Sequence, residues 1–240
     1  MKKAIGPNVF IPDFGGTGTR AGYTRKTAQD LGLHEDWYRD AIYANPALVI
    51  DPCRQGGLVT QEEKWMPWAK EFASGDGPMD AGPMDVLLLS STGRVGIVET
   101  KLSYNPQRRR EVVAQILDYA LAFQEAESLP PWPTSPNAPD EADVRERMTR
   151  GDFLLVVAGD EIDPRALRLG EAVLAGHLTS EWDLAMVDLN VFEAPPATAP
   201  FNIGVLTSEP KTFCRRFTEL SFSPWSLATM SLASPALPFN

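Results

Sequence analysis

Apolar residues along this chain fall into short runs, and the spacing inside each run predicts its secondary structure. The segment 84–90, MDVLLLS, is a continuous apolar run, and 95–102, VGIVETKL, is rich in β-branched residues; both patterns are typical of buried strands. Between them lies STGR, a polar segment with a glycine where a tight turn often needs one. Together these segments predict a β-hairpin.

Two segments have the periodicity of amphipathic helices. The first, 34–44, ends at Asn45-Pro46, because the residue before a proline disfavours helical geometry. The second, 105–126, opens on an Asn-Pro pair, which supplies a good N-cap and the favoured first helical residue. Its apolar face is formed by Val112, Val113, Ile116, Leu117, Ala120 and Phe123.

The remaining patterned segments extend the alternation of helices and strands. Strands are predicted at 65–73, 152–160 and 182–193, with weaker signals at 201–206 and 216–222. A proline-rich loop is expected at 128–143 and another amphipathic helix at 164–178. This order of elements predicts an α/β fold with a mixed sheet.

Composition narrows the range of partners. The chain has 240 residues and a formal net charge of −10, which disfavours nucleic acid because phosphate binding favours a basic surface. Cys53 and Cys214 lie far apart, so we expect free thiols in a reducing compartment. No apolar run is long enough to span a membrane and the N-terminus does not resemble a secretory signal, so we expect a cytoplasmic protein with no membrane partner.

The predicted hairpin brings two carboxylates together. Glu99 and Lys101 share a face near the end of an otherwise apolar strand. If the turn centres near Thr92, Asp85 lies directly opposite Glu99, with Cβ atoms about 5 Å apart. Opposed carboxylates repel, and a divalent cation between them would remove the repulsion, since Mg²⁺ favours hard oxygen ligands. A solvent-facing ion pair at a fraying strand end is the alternative explanation for the acid and the lysine.

The tetrapeptide GPMD occurs twice in the chain, so Asp80 is a rival of Asp85 for this position. Pairing Asp80 with Glu99 would centre the turn inside the apolar run 84–90. An Ala-Gly-Pro segment also separates Asp80 from the strand. We therefore expect Asp80 in a loop and Asp85 opposite Glu99, although a β-bulge would shift this register by one residue.

These residues resemble the PD-(D/E)XK nuclease superfamily, the restriction-endonuclease-like fold. GPMD at 82–85 is similar to the first half of the family motif, with methionine where proline often stands, and ETK at 99–101 is similar to its Glu-x-Lys half. Gln115 and Tyr119 on the following helix match the Gln-x-x-x-Tyr spacing seen in many members.

The resemblance also implies a domain organisation. It is strongest over 82–126 and extends over 33–160, which would form a restriction-endonuclease-like α/β core of helix, mixed central sheet with β-hairpin, long helix and strand. Residues 1–32 would then be an N-terminal arm. Residues 161–240 would be a C-terminal α/β extension packed on the core.

The resemblance implies roles for individual residues. Asp85 and Glu99 would ligate Mg²⁺ or Mn²⁺, with the backbone carbonyl of Thr100 as a further ligand. Lys101 would orient the attacking water or stabilise charge on the scissile phosphate. Many members place another catalytic and metal-binding acid on the first core helix, where Glu35 matches best. Its rivals are Asp36, Asp40 and Glu71.

Two further features of the long helix bear on the substrate. Gln115 would contact the phosphate or the attacking water, or else bond the sheet through its amide, whereas we expect Tyr119 to pack. Arg108, Arg109 and Arg110 lie where the helix dipole disfavours cations. Nucleic-acid contact beside the active site would explain them, and a solvated basic face is the alternative.

The expected function is therefore metal-dependent hydrolysis of phosphodiester bonds in nucleic acid, with DNA favoured over RNA and Mg²⁺ or Mn²⁺ as cofactor. The alternative is a catalytically silent nuclease-fold protein that acts as a nucleic-acid-binding or defence-related sensing module. The sequence leaves open the choice between endonuclease and exonuclease, and it leaves open the oligomeric state, with a homodimer as one option.

Overall fold

The structure is a computed structural model that describes most of the chain. The described residues are 8–9, 24–73, 82–102, 111–160, 162, 166, 168–169, 181–193 and 205–215. Within them, one mixed β-sheet has helices on both faces. The chain is therefore an α/β protein, as the order of sequence patterns predicts.

Eight described strands form the sheet. They are β1 (Asn8–Val9), β2 (Thr24–Lys26), β3 (Trp65–Phe72), β4 (Met84–Ser90), β5 (Val95–Leu102), β6 (Phe153–Asp160), β7 (Asp183–Glu193) and β8 (Val205–Arg215). Their order is β1-β8-β7-β6-β5-β4-β3, and β2 pairs with the end of β7. Strands β3, β4 and β5 are antiparallel neighbours, β5, β6 and β7 run parallel, and β8 is antiparallel to β7.

The helices cover the two faces of this sheet. They are α1 (Glu35–Ala44), α2 (Ala47–Gln55), α3 (Glu111–Gln124) and α4 (Glu141–Arg150). Apolar side chains of α1 and α2 pack on one face, whereas those of α3 and α4 pack on the other. Side chains along β5 alternate between these two cores, with Val95 and Ile97 on the α3 side and Val98 on the α1 side. A strand buried on both faces explains why β5 reads as a nearly continuous apolar run.

The predicted hairpin has the expected bounds and register. Strands β4 and β5 pair from Val86 with Val98 to Leu89 with Val95, which centres the turn at Thr92. Gly93 in that turn has a φ of 86°, and a Cβ there would lie 3.1 Å from the backbone of Asp143 in α4. The turn therefore requires glycine both for its backbone conformation and for its close packing.

Two helices depart from the sequence-based expectation. Helix α4 begins at Glu141, inside the segment predicted as a proline-rich loop. It buries only Val144 and Met148, one turn apart, which is too sparse a pattern to indicate a helix. Helix α2 begins directly after Pro46 and contains Pro52. Because proline disfavours a helix interior, the sequence did not indicate a helix here.

The other predicted elements agree where the structure describes them. Helix α1 and strands β3, β6 and β7 match their predicted segments within about one residue at each end. Strand β8 begins within the weak strand signal at 201–206 and continues to residue 215. The predicted helix start at 105–110, most of the predicted helix at 164–178 and the strand signal at 216–222 lie outside the described residues.

Candidate functional site

The carboxylates of Glu99 and Asp85 lie just beyond the last paired residues of the hairpin. The ladder between β4 and β5 ends at Val86 with Val98, so the next residues along the two strands are Asp85 and Glu99. The register predicted from the turn is therefore the register of the structure. Strand β5 carries Glu99 into the protein interior, where its side chain is only 2 % exposed.

Glu99 has one partner for its two carboxylate oxygens. Its Oε1 forms an ion pair with the ammonium group of Lys101, two residues further along the same face of β5. Its Oε2 is buried and has no hydrogen-bond partner among the described residues. A buried oxygen without a partner carries a desolvation cost, so this atom is an open acceptor for a cation or a donor.

The surroundings of Glu99 disfavour its charged form. Burial, followed by the charge of Asp85, raises the pKa of Glu99 from 4.5 to about 7. Lys101 opposes the shift, and Glu35 on α1 adds to it. These four side chains therefore belong to one electrostatic cluster in which negative charge exceeds positive charge.

Asp85 is held by strand β5. Its Oδ2 accepts hydrogen bonds from the backbone N–H of Thr100 at 2.8 Å and from the Thr100 hydroxyl at 2.6 Å. Because the β4–β5 ladder has already ended at this point, a carboxylate satisfies an amide that lies beyond the paired residues. Two donors on one oxygen fix the position of Asp85 beside Glu99.

Helix α3 contacts the segment that leads into Asp85. The hydroxyl of Tyr119 donates a hydrogen bond to the carbonyl of Pro83 at 2.9 Å and accepts one from Nε2 of Gln115 at 2.7 Å. Burial and the charge of Glu99 raise the pKa of Tyr119 to about 12, so the hydroxyl stays protonated and remains a donor. Gln115 therefore reaches the site through Tyr119, which we had expected only to pack.

The candidate acids of α1 and β3 separate into two groups. Glu35 acts on the pKa of Glu99. Asp36 accepts from the backbone N–H of Trp37, Asp40 pairs with Lys70 at 2.6 Å, and Glu71 pairs with Arg39 at 2.7 Å. Of the four acids, Glu35 therefore has the clearest electrostatic effect on the hairpin carboxylates.

Strand β6 approaches β5 closely at the same end of the sheet. A Cβ added to Gly159 would overlap the backbone carbonyl of Lys101. Only glycine therefore allows β6 to lie this close to the end of β5, where Lys101 is positioned.

The described acids do not form a three-ligand metal site. Among the residues that the structure describes, no group of three or more His, Cys, Asp and Glu side chains is arranged to hold a metal ion. The donor set that fits a cation comprises two carboxylates, Glu99 and Asp85, and Glu99 contributes the buried oxygen without a partner. Hard oxygen donors of this kind match the preference of Mg²⁺ and Mn²⁺.

Four of the candidate residues fall in segments that the structure does not describe. Arg108, Arg109 and Arg110, expected to contact nucleic acid, lie outside the described residues, and so does Asp80. The carbonyl predicted as a further ligand belongs to Thr100, which lies between Glu99 and Lys101 on β5.

Sequence reasoning missed the contacts of four residues in this region: Tyr119, Thr100, Gly159 and Arg39. The spacing of Gln115 and Tyr119 by four residues was the available signal for the first, because such residues share a helix face. The other contacts join distant segments, and no local pattern indicates them.

Comparison of the chain with protein-family models, with curated protein sequences and with solved structures found no match. In the described part of the chain, no helix combines the length and hydrophobicity needed to span a bilayer.

Proposed function

We propose that this chain is a metal-dependent nuclease that hydrolyses phosphodiester bonds of nucleic acid, with DNA as the favoured substrate. The observation that carries the proposal is the opposed pair Glu99 and Asp85, in which one buried oxygen of Glu99 has no partner among the described residues. A fold that buries a carboxylate oxygen without a partner incurs a free-energy cost, and such costs concentrate at functional sites.

The two carboxylates would hold the cation, with the Thr100 carbonyl and Glu35 as the predicted additional ligands. A bound Mg²⁺ or Mn²⁺ supplies Lewis-acid polarisation of the phosphate and lowers the pKa of water. Thr100 and the Tyr119 hydroxyl fix the strand segment that carries Asp85, so the carboxylate is already oriented before a cation arrives.

Lys101 would act on the substrate once a cation neutralises the carboxylate of Glu99. Its ammonium group pairs with Glu99 in the protein alone, and its side chain is 16 % exposed. A cation bound to Glu99 would weaken the attraction between Glu99 and Lys101. The ammonium group would then be available to orient water or to stabilise negative charge on the phosphate.

The order of elements supports the same proposal. Helix α1, the antiparallel strands β3, β4 and β5, helix α3 and the parallel strand β6 follow one another in the order expected of a restriction-endonuclease-like core. The core helix that carries Glu35 and the long helix that carries Gln115 pack on opposite faces of the sheet. The proposed assignment to that fold rests on this order and on the site.

Cleavage assays with Mg²⁺ or Mn²⁺ on single-stranded, duplex and branched DNA test the proposal. We expect the wild-type chain to cleave at least one of these, and Glu99→Gln and Lys101→Ala to lose about a hundredfold or more in rate. Glu125→Gln, which neutralises an exposed glutamate after α3, should retain full activity. Full activity of both site variants would end the nuclease proposal.

A calorimetric titration with Mn²⁺ provides a readout that does not depend on turnover. The wild-type chain should bind Mn²⁺, and Glu99→Gln should bind it much more weakly because it loses the buried carboxylate. An unfolding curve for each variant shows whether a lost signal reflects the site or the fold.

The second candidate is a nucleic-acid-binding or sensing module without catalysis. The lack of a three-ligand acid group among the described residues favours it, and the net charge of −10 favours sensing over nucleic-acid binding within it. DNA binding by the wild-type chain without Mn²⁺ binding and without cleavage of any substrate would select this candidate.

A further inference from the structure

The surface beside the carboxylates contains an ion pair between α1 and the edge strand β3. Nη1 of Arg39 lies 2.7 Å from Oε1 of Glu71, whose side chain is 62 % exposed. An exposed ion pair of this kind contributes little to stability. Two features of the pair are nevertheless unusual, one in the backbone of Glu71 and one in the side chain of Arg39.

The backbone of Glu71 is in the left-handed region. Its φ is 50°, and it is the only non-glycine residue with a positive φ in the described part of the chain. The neighbouring residues pair regularly with β4, Lys70 with Val86 and Phe72 with Met84. A left-handed glutamate inside a strand costs free energy and persists only when its surroundings hold it there. The ion pair with Arg39 is the contact that holds this carboxylate.

The strand register places Glu71 opposite another acid. Because Lys70 pairs with Val86 and Phe72 with Met84, Glu71 is the residue of β3 that faces Asp85 of β4. Glu99 faces Asp85 from the other side, on β5. Three acids therefore occupy one row across three strands, and the ion pair draws the outermost carboxylate to α1.

Arg39 has donor capacity that the ion pair does not use. Its side chain is 19 % exposed, and its Nε is buried without a hydrogen-bond partner among the described residues. An Asp40 oxygen lies 3.9 Å from this Nε, beyond hydrogen-bond distance. Because Nε is enclosed, an oxyanion would meet the Nη groups, and a guanidinium group suits a bidentate oxyanion better than the single carboxylate oxygen that Nη1 contacts here.

Arg39 also lies at the rim of the carboxylate site. It follows Glu35 by four residues on α1, so the two side chains are neighbours on one helix face, about 5–6 Å apart at Cβ. Its partner Glu71 faces Asp85 across the β3–β4 ladder. Two independent connections, one through α1 and one through β3, thus bring the guanidinium group to the same region.

We propose that Arg39 is a phosphate-binding residue for the nucleic-acid strand and that the Glu71 carboxylate occupies its guanidinium group when substrate is absent. This proposal rests on the proposed nuclease function and extends it by a subsite for a phosphodiester group of the substrate backbone. Substrate binding exchanges one anion for another on Arg39 and releases the Glu71 carboxylate. The exchange keeps Arg39 partnered in both states of an acidic protein.

The two partners of the ion pair should have opposite effects on binding. A short fluorescent DNA duplex and the corresponding single strand are titrated with protein in Ca²⁺, and fluorescence anisotropy is measured at several salt concentrations. Arg39→Gln should weaken binding about tenfold, as expected for one charge-assisted contact, and should reduce the slope of log affinity against log salt by about one. Glu71→Gln should strengthen binding several-fold, because it removes the competing anion.

Lys70→Gln is the matched control. It removes one positive charge from the neighbouring ion pair, in which Lys70 contacts Asp40 at 2.6 Å on the same two elements. We expect it to leave the salt slope unchanged, whereas a general effect of net charge would lower affinity equally in Lys70→Gln and Arg39→Gln. Arg39→Lys, which keeps the charge but loses the bidentate donors, should recover part of the affinity.

Each remaining outcome is informative. A structural ion pair would make both Arg39→Gln and Glu71→Gln neutral in binding, or would make both weaker, and either result overturns the phosphate subsite. Wild-type binding and cleavage of DNA that Arg39→Gln leaves unaltered would overturn the subsite but retain the nuclease proposal. Failure of the wild-type chain to bind any of the DNA probes would overturn both.

Discussion

The two ends of strand β5 carry buried charges in contrasting surroundings. Before the first residue of the strand, Arg94 contacts Asp152 at 2.9 Å and Asp183 at 2.8 Å. The same guanidinium group donates to the carbonyls of Leu58 and Phe153. At the other end Glu99 has a single ionic partner, Lys101, and its second oxygen has no partner among the described residues.

The contrast separates two uses of buried charge. The guanidinium groups of Arg94 and Arg147 balance the charges of Asp152 and Asp183. Arg94 also links the starts of β5, β6 and β7 to the segment before β3, and its Nε meets Asp152 as an ion pair without hydrogen-bond geometry. Glu99 and Asp85 carry more negative charge than Lys101 neutralises, and burial together with the charge of Asp85 raises the pKa of Glu99. Similar burial therefore accompanies a closed network at one end and an open acceptor at the other, which supports the proposed site at the open end.

The largest effect should come from breaking the closed end. Arg94→Met would leave Asp152 and Asp183 buried without their shared cation, so we expect a loss of about 3–5 kcal/mol in the free energy of unfolding. Urea unfolding measures this change. Arg145→Met, which removes an exposed pair with Glu141 on α4, should cost less than about 1 kcal/mol. Equal losses in the two variants would contradict the distinction.

The opposite sign is expected at the open end. The raised pKa of Glu99 means that protonation favours the folded state: this contribution is complete below pH 4.5 and is lost as the pH rises through about 7. Glu99→Gln keeps the neutral form, so at pH 8 it should be more stable than wild type by about 1–3 kcal/mol. The difference should shrink towards zero near pH 4.5.

Metal addition sharpens this second prediction. Mg²⁺ or Mn²⁺ should stabilise the wild-type chain at pH 8 by binding only the folded state, and removal with a chelator should reverse the gain. Glu99→Gln should show no such gain. If the stability of the wild-type chain changed with neither metal nor pH, Glu99 would not be a buried ligand for a cation.

A smaller effect is expected where α3 contacts the approach to Asp85. Tyr119→Phe leaves the Pro83 carbonyl and Gln115 without the bridging hydroxyl, so it should cost about 1 kcal/mol of stability. Because Pro83 lies two residues before Asp85, the same variant should weaken Mn²⁺ binding several-fold in a calorimetric titration. Tyr43→Phe on α1 is the control and should leave Mn²⁺ binding unchanged; equal affinity in both variants would mean that Tyr119 only packs.

Local patterns predicted the part of the fold that frames the site. Strands β4 and β5 were found because a continuous apolar run and a β-branched run flank a glycine turn, and the turn alone determined the register of Asp85 and Glu99. Helix α4 was missed because charged residues dominate it, although Asp140 before it and Gly151 after it, with a φ of 68°, are ordinary helix boundaries.

Contacts between distant segments could not be predicted in the same way. The sequence indicated Gln115 and Tyr119 but not that the Tyr119 hydroxyl reaches Pro83, because that bond depends on how α3 packs on the sheet. It also left four acids as rivals for one position, and the positions of Arg39 and Lys70 draw two of them away from Glu99. Partner choice of this kind is decided by tertiary packing.

The bond between Asp85 and the Thr100 amide gives the strand end an intrinsic spectroscopic reporter. Because this N–H donates to a side-chain carboxylate and not to a backbone carbonyl, its proton resonance follows the charge and position of one side chain. A cation that binds Asp85 must change the electron density at the carboxylate oxygen that Thr100 contacts. A single assigned amide peak would thereby follow the occupancy of the site by a cation.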